Sequence, residues 1–150
     1  MTGSRAVDRL GFLLARDGAI TNARMRQALS LIGLTPRHGM ALVHLAENGP
    51  MGQQALIEAL GVDPSVLVAL LNDLERDGLV QRRRDPADRR RHIVQITSSG
   101  SAAVAKVDAA ITAVECDLFA DLTEDEMTQL QRMLARVRTT PHDPAARKED

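Results

Sequence analysis

From Thr35 to Gly78 the chain is punctuated so closely that it can hold only short helices. Thr35-Pro36 sets a capping hydroxyl ahead of a proline at the first helical position, and Met40, Val43 and His44 follow at helical spacing until Asn48-Gly49-Pro50 halts the run. That spacing predicts a helix over 36–47. Gly52 opens a second segment, Gln53 to Leu60, which Gly61 closes as a left-handed cap. Asp63-Pro64 repeats the start signal, and Leu67, Leu70, Leu71 and Leu74 mark one face of a third helix over 64–77, ended by Gly78. The period then drops towards two. Leu79–Arg82 and Ile93–Ile96 read as short strands joined through the Asp85-Pro86-Ala87-Asp88 turn region.

The flanks are built of longer elements. Leu10, Leu13, Leu14, Met25, Leu29 and Ile32 form an apolar stripe that predicts one helix across 6–33, with Gly18 as its weak point. Beyond the hairpin, Thr97 or Ser98 caps a helix in which Val104, Val107, Ile111, Val114 and Leu118 step by three and four, the spacing of a helix-on-helix seam. Thr123-Glu124-Asp125-Glu126 is a capping box, and it opens a last helix carrying Met127, Leu130, Leu134 and Val137 on one face. The polar stretch 139–150 reads as a flexible tail. The fold class is therefore mainly α (α+β): a winged helix-turn-helix over 34–97, with helical dimerisation segments at 6–33 and 98–138. A module of about 60 residues cannot cover both flanking stripes, so a homodimer through the terminal helices is expected, with packing of the first helix on the fifth as the alternative.

Composition removes several classes of function. The longest apolar run, Val66 to Leu71, is far short of the roughly 18 residues of a membrane helix, and no basic-then-apolar signal opens the chain. A soluble, cytoplasmic protein without a membrane partner is expected. Cys116 is the single cysteine, so there is no internal disulfide and no zinc cluster, and its position off the seam makes it a bystander. His38 and His44, six apart, do not share a helix face, and no metal or cofactor is expected. With only Phe12 and Phe119 as aromatics, stacking of single-stranded bases is disfavoured. No phosphate-cradling loop, nucleophile elbow or zinc-protease motif occurs, so an enzyme is not expected.

Charge is informative once it is divided along the chain. The net charge is -1, yet residues 1–97 hold 13 Arg against 10 acids, while 98–150 hold 6 Lys/Arg against 10 acids. Arg82, Arg83, Arg84, Arg89, Arg90 and Arg91 crowd the hairpin against only Asp85 and Asp88. Such a local field attracts a polyanion whatever the total charge. A thin arginine tip can enter a minor groove, where Asp88 would hold the Arg90 guanidinium by paired hydrogen bonds and Arg89 and Arg91 would meet phosphates. Arg82 and Arg84 share a strand face, and Arg83 points the other way. A second helix laid in the major groove would present Ser65, Val66, Val68, Ala69 and Asn72; only Ser65 and Asn72 can hydrogen-bond a base edge, while the apolar positions suit thymine methyls. Gln53 and Gln54, at the start of the preceding helix, are candidates for phosphate or base contact.

Leu34-Thr35-Pro36, Gly61-Val62-Asp63-Pro64-Ser65, Leu74 to Arg82, Asp85 to Arg91 and Ile96-Thr97-Ser98-Ser99-Gly100 resemble, in order and spacing, the MarR family of bacterial transcription regulators over roughly residues 6–138. The resemblance implies an obligate homodimer on pseudo-palindromic double-stranded DNA, usually a repressor released by a small phenolic or lipophilic inducer. It matches Asp88 and Arg90 to the family's wing pair, and Ser65, Val68, Ala69 and Asn72 to its base-facing positions. Val68 and Ala69 stand where many members carry threonine and arginine, and Ile57 where many carry a small residue, which leaves the wing as the main grip. The family's ligand cleft between dimer helices and DNA-binding unit makes Phe12, Arg16, Met40 and His44 candidates by position. A winged-helix module that binds protein without an operator is the alternative function.

Overall fold

The computed structural model describes residues 5–138. After a 3-10 turn at Ala6–Asp8 come α1 (Leu10–Ser30), α2 (Pro36–Asn48), β1 (Met51–Gly52), α3 (Gln53–Leu60), α4 (Pro64–Arg76), β2 (Val80–Arg84), β3 (His92–Ile96), α5 (Ser98–Leu118) and α6 (Glu124–Ala135). The first helix starts with its apolar stripe at Leu10 and ends at Ser30, shorter at both ends than the expected span 6–33, and runs unbroken through Gly18. The chain divides into two units, the second starting at Phe119. The tail assigned to 139–150 lies outside the described residues.

In the first unit, the leucine face of α4 supplies Leu67, Leu71 and Leu74 to a core completed by Leu42 and Leu45 of α2, Leu56 of α3, Val80 and Val94 of the hairpin, Leu29 of α1 and Val107 of α5. Each of these is essentially inaccessible to water. Burying a leucine of this kind contributes about 1.5–3 kcal/mol, so α4 is held by its inward stripe and leaves its other face free. The sheet has strand order β1-β3-β2, all antiparallel, with Val80 opposite Ile96, Arg82 opposite Val94 and Arg84 opposite His92. Sequence periodicity misses β1 because two residues carry no period; Met51 and Gly52 become a strand only by pairing with Val94 and Ile93.

Two close approaches lock the long helices onto this core. At Gly39 of α2, an added Cβ would come within 3.3 Å of Val107 and 3.6 Å of Leu29, so this glycine marks where α2 meets both α5 and α1. At Gly100, an added Cβ would overlap the Leu79 carbonyl oxygen, which seats the first turn of α5 on the end of the helix-turn-helix. Thr97 is the cap of α5: its Oγ1 accepts from the Gly100 amide at 3.0 Å and donates to the Gly78 carbonyl at 2.6 Å.

The amino-terminal half of the α5 seam is not left free for a second copy. Val107 is fully buried in the chain's own core, and Val104 and Ile111 pack against it. The intrachain alternative therefore accounts for the amino-terminal half of that seam. Apolar surface remains elsewhere in this unit: Leu10 and Phe12 of α1 are 85% and 61% exposed. Within the second unit, α6 starts at the expected capping box, with the Thr123 and Glu126 side chains each accepting the other's backbone N–H, and exposes Met133, Leu134 and nearby Val137. No single helix among the described residues is long and apolar enough to cross a membrane.

Candidate nucleic-acid interface and the cleft behind it

The outward face of α4 carries Ser65, Val68, Ala69 and Asn72, all exposed. Val68 is 45% exposed. The start of α4 departs from expectation in one respect: Asp63 is the N-cap residue, but its side chain makes no capping hydrogen bond, and the Val66 and Leu67 amides bond its backbone carbonyl instead. From the far end of α4, Glu75 and Asn72 reach the base of the hairpin. Arg82 Nε donates to Glu75 Oε2 at 2.7 Å and Arg82 Nη2 to Asn72 Oδ1 at 2.8 Å. Arg82, a DNA-binding candidate by its place in the arginine cluster, is half-buried and forms a strut between the wing and α4. Arg84, one pleat further out, is exposed.

The wing tip is ordered by its two aspartates. Asp85 Oδ1 accepts from the Ala87 amide at 2.8 Å, and Asp88 Oδ1 from the Arg90 amide at 3.1 Å. These are Asx turns, in which a short carboxylate substitutes for a backbone carbonyl. The Asp88–Arg90 relation is thus through the Arg90 backbone and not its guanidinium; the ion pair from Asp88 goes to Arg91 Nε, at 3.7 Å. The reason is geometric: two residues apart in a turn, the carboxylate lies beside the amide, while the Arg90 side chain projects away. Arg89, Arg90 and Arg91 are all exposed.

Gln53 and Gln54 share a cleft with the wing. It is bounded by the start of α3, with Gly52, Gln53 and Gln54, and by Asp85, Arg90, Arg91 and His92. Gly52, the α3 N-cap, offers no side-chain cap, so cationic side chains and free helix-start amides converge on one surface suited to a phosphate. Gln54 also approaches Glu58 at 3.5 Å.

Behind α4 lies a second cleft, of about 670 Å³, between α1, the start of α2 and α4. Asn22, Arg26, Arg37 and His38 line it, with Ser65, Ala69 and Asp73 from α4. His38 closes its inner wall. His38 Nδ1 lies 3.1 Å from the Thr35 amide and 2.8 Å from Thr35 Oγ1, and Nε2 lies 3.0 Å from Asp73 Oδ2. One imidazole thereby caps α2 and holds α4. None of Phe12, Arg16, Met40 and His44 lines this cleft. Phe12 and Met40 are exposed, Arg16 pairs with neighbouring Asp17 at 3.0 Å, and His44 is half-buried. The cleft's own residues escape sequence reasoning because they come from three elements; the available signal was Arg37-His38 in the first turn after Thr35-Pro36, with histidine at the position where a capping box usually holds glutamate or glutamine. Cys116 is exposed, and the described residues contain no group of side chains arranged to hold a metal ion.

Three short helices, a three-stranded wing and an arginine-bearing tip define a winged helix-turn-helix protein. A MarR family model matches residues 32–91. A protein of Thauera aromatica named for transcriptional regulation of the hcr operon is 37% identical over 131 residues, covering 85% of this chain and 78% of that protein. A MarR-family transcriptional regulator from Rhodococcus sp. RHA1 is 31% identical with a TM-score of 0.81, covering 87% of this chain and 94% of that one. CouR from Rhodococcus jostii RHA1, solved bound to p-coumaroyl-CoA, is 30% identical with a TM-score of 0.81, covering 93% and 99%. The chain belongs to the MarR family of transcription regulators.

Proposed function

We propose that this chain is a homodimeric, operator-binding repressor released by a small lipophilic or phenolic ligand. The observation that carries the DNA-binding part is the shared cleft of Gln53 and Gln54 with Arg90 and Arg91, next to a recognition helix whose outward face is free. Phosphates would lie along the α3 start and the wing, while Ser65, Val68, Ala69 and Asn72 meet the major groove and Arg90 the minor groove. Arg84, Arg89 and Arg91 add phosphate contacts, and Arg82 contributes by holding the wing against α4. Support for the dimer is the apolar surface on α1 and on α6, each considered alone, since a symmetric second copy is what a two-half-site duplex requires.

The inducer site in this reading is the cleft between α1, α2 and α4. Arg26 and Arg37 suit an anionic group, and Ser65 and Ala69 on its rim couple occupancy to the face that meets DNA. CouR's ligand, an aromatic acyl-CoA, has the matching combination of anion and apolar ring. The test is a gel shift with the gene's own upstream DNA, with competitor and across salt, repeated with p-coumaroyl-CoA added. Retarded DNA that is released by the thioester supports the reading. Failure to retard any duplex at low salt would overturn it and favour a protein-binding winged helix.

A further inference from the structure

The wing meets one flank of α4, and the cleft that holds Arg26 and Arg37 meets the other. Arg82 of β2 bonds Asn72 and Glu75, which with Val68 form one i, i+4, i+7 stripe along the helix. Val66, Leu70 and Asp73 form a second such stripe, and all three line the cleft together with Ser65 and Ala69. At about 100° of rotation per residue the two stripes lie on roughly opposite sides of α4, and Ser65 and Ala69 fall on the outward surface between them.

Positive charge on the flank away from the wing is uncommitted. Arg26 of α1 and Arg37 of α2 are both exposed, and neither makes an ion pair with another described residue. The only carboxylate among the described residues lining the cleft, Asp73, is already held by His38 at 3.0 Å and Arg76 at 3.5 Å. A helix seated in a major groove about 12 Å wide has a phosphodiester backbone along each side, and the wing lies on one side alone. Building on the operator-binding reading above, we infer that Arg26 and Arg37 form a second phosphate grip, holding the backbone that lies across the major groove from the wing. An inducer's anionic group would use the same guanidinium chemistry, and the experiment separates the two sources of anion.

The experiment titrates the full-length chain against a duplex of the gene's own upstream DNA, without inducer, and maps its contacts by phosphate ethylation interference. The Arg26→Ala, Arg37→Ala double variant should flatten the log–log salt slope by about two, so that the wild type's advantage narrows about tenfold between about 50 and 200 mM salt. The Arg26→Lys, Arg37→Lys pair should keep the wild-type slope, because a point charge suffices to release counterions. Phosphates whose ethylation ceases to matter in the alanine pair should lie across the major groove from those lost in an Arg89→Ala, Arg91→Ala pair. A slope and an interference pattern that the alanine pair leaves unchanged would overturn the inference while operator binding stood. If that same pair then lost its release by p-coumaroyl-CoA, the cleft would belong to the inducer alone. A wild type that binds no duplex would instead remove the operator reading on which the second grip rests.

Discussion

His38 Nε2 stands 3.0 Å from Asp73 Oδ2, joining the start of α2 to the recognition helix across the wall of the inner cleft. The same ring takes the Thr35 amide at Nδ1, and Arg76 approaches the other Asp73 oxygen at 3.5 Å. Removing the ring costs both the cap and the link. His38→Ala should lower unfolding free energy by about 1–2 kcal/mol, and Asp73→Ala, which spares the cap, by about 0.5–1.5 kcal/mol. Urea denaturation of the two variants checks the order; equal losses would show that the cap contributes nothing.

Truncating Arg90 to alanine should weaken operator binding by about 1–3 kcal/mol where the wing enters the minor groove. Titration against a short duplex measures it, and unchanged affinity would remove Arg90 from the interface.

Asp88 acts on the Arg90 amide, so its role should depend on accepting a hydrogen bond more than on charge. Asp88→Asn should bind DNA nearly as well as the wild type, whereas Asp88→Ala should lose about 0.5–1.5 kcal/mol. Equal weakening by both would point to the Arg91 ion pair instead.

Gly100 sits where a side chain would strike the Leu79 carbonyl. Gly100→Ala should destabilise the fold by about 1–3 kcal/mol despite alanine's better helix propensity, read as a lower thermal midpoint. Stabilisation would mean that α5 can shift off the hairpin freely.

Affinity for DNA should fall linearly on a log–log plot against salt, with a slope of about −0.9 per phosphate neutralised. If Arg89 and Arg91 each meet a phosphate, the double alanine variant should flatten that slope by about two.

Local chemistry made much of this molecule legible in advance. Caps, prolines and terminal glycines locate α2, α3, α4 and the start of α6 to within a residue or so, because each is a signal about backbone atoms near it in sequence. The leucine stripe of α4 identifies its inward face, and hence its outward residues, without any partner being known. Long-range relations were not legible. The roles of Arg82, Asp88 and His38 depend on which acceptor lies beside each donor: Arg82 turned out to be a strut, Asp88 bonds an amide, and His38 reaches a helix 35 residues away.

What the order of residues determined alone is the set of short helices, the arginine-rich hairpin and the face each helix must hide, since these follow from periodicity and from backbone donors and acceptors seeking near neighbours. Only tertiary structure decided that Val107 is buried in its own chain, that Met51 and Gly52 form a strand, and that Arg26, Arg37 and His38 meet in one cleft. Those outcomes turn on how helices of fixed hydrophobic pattern approach one another, which at Gly39 and Gly100 comes down to the space of a single methyl group.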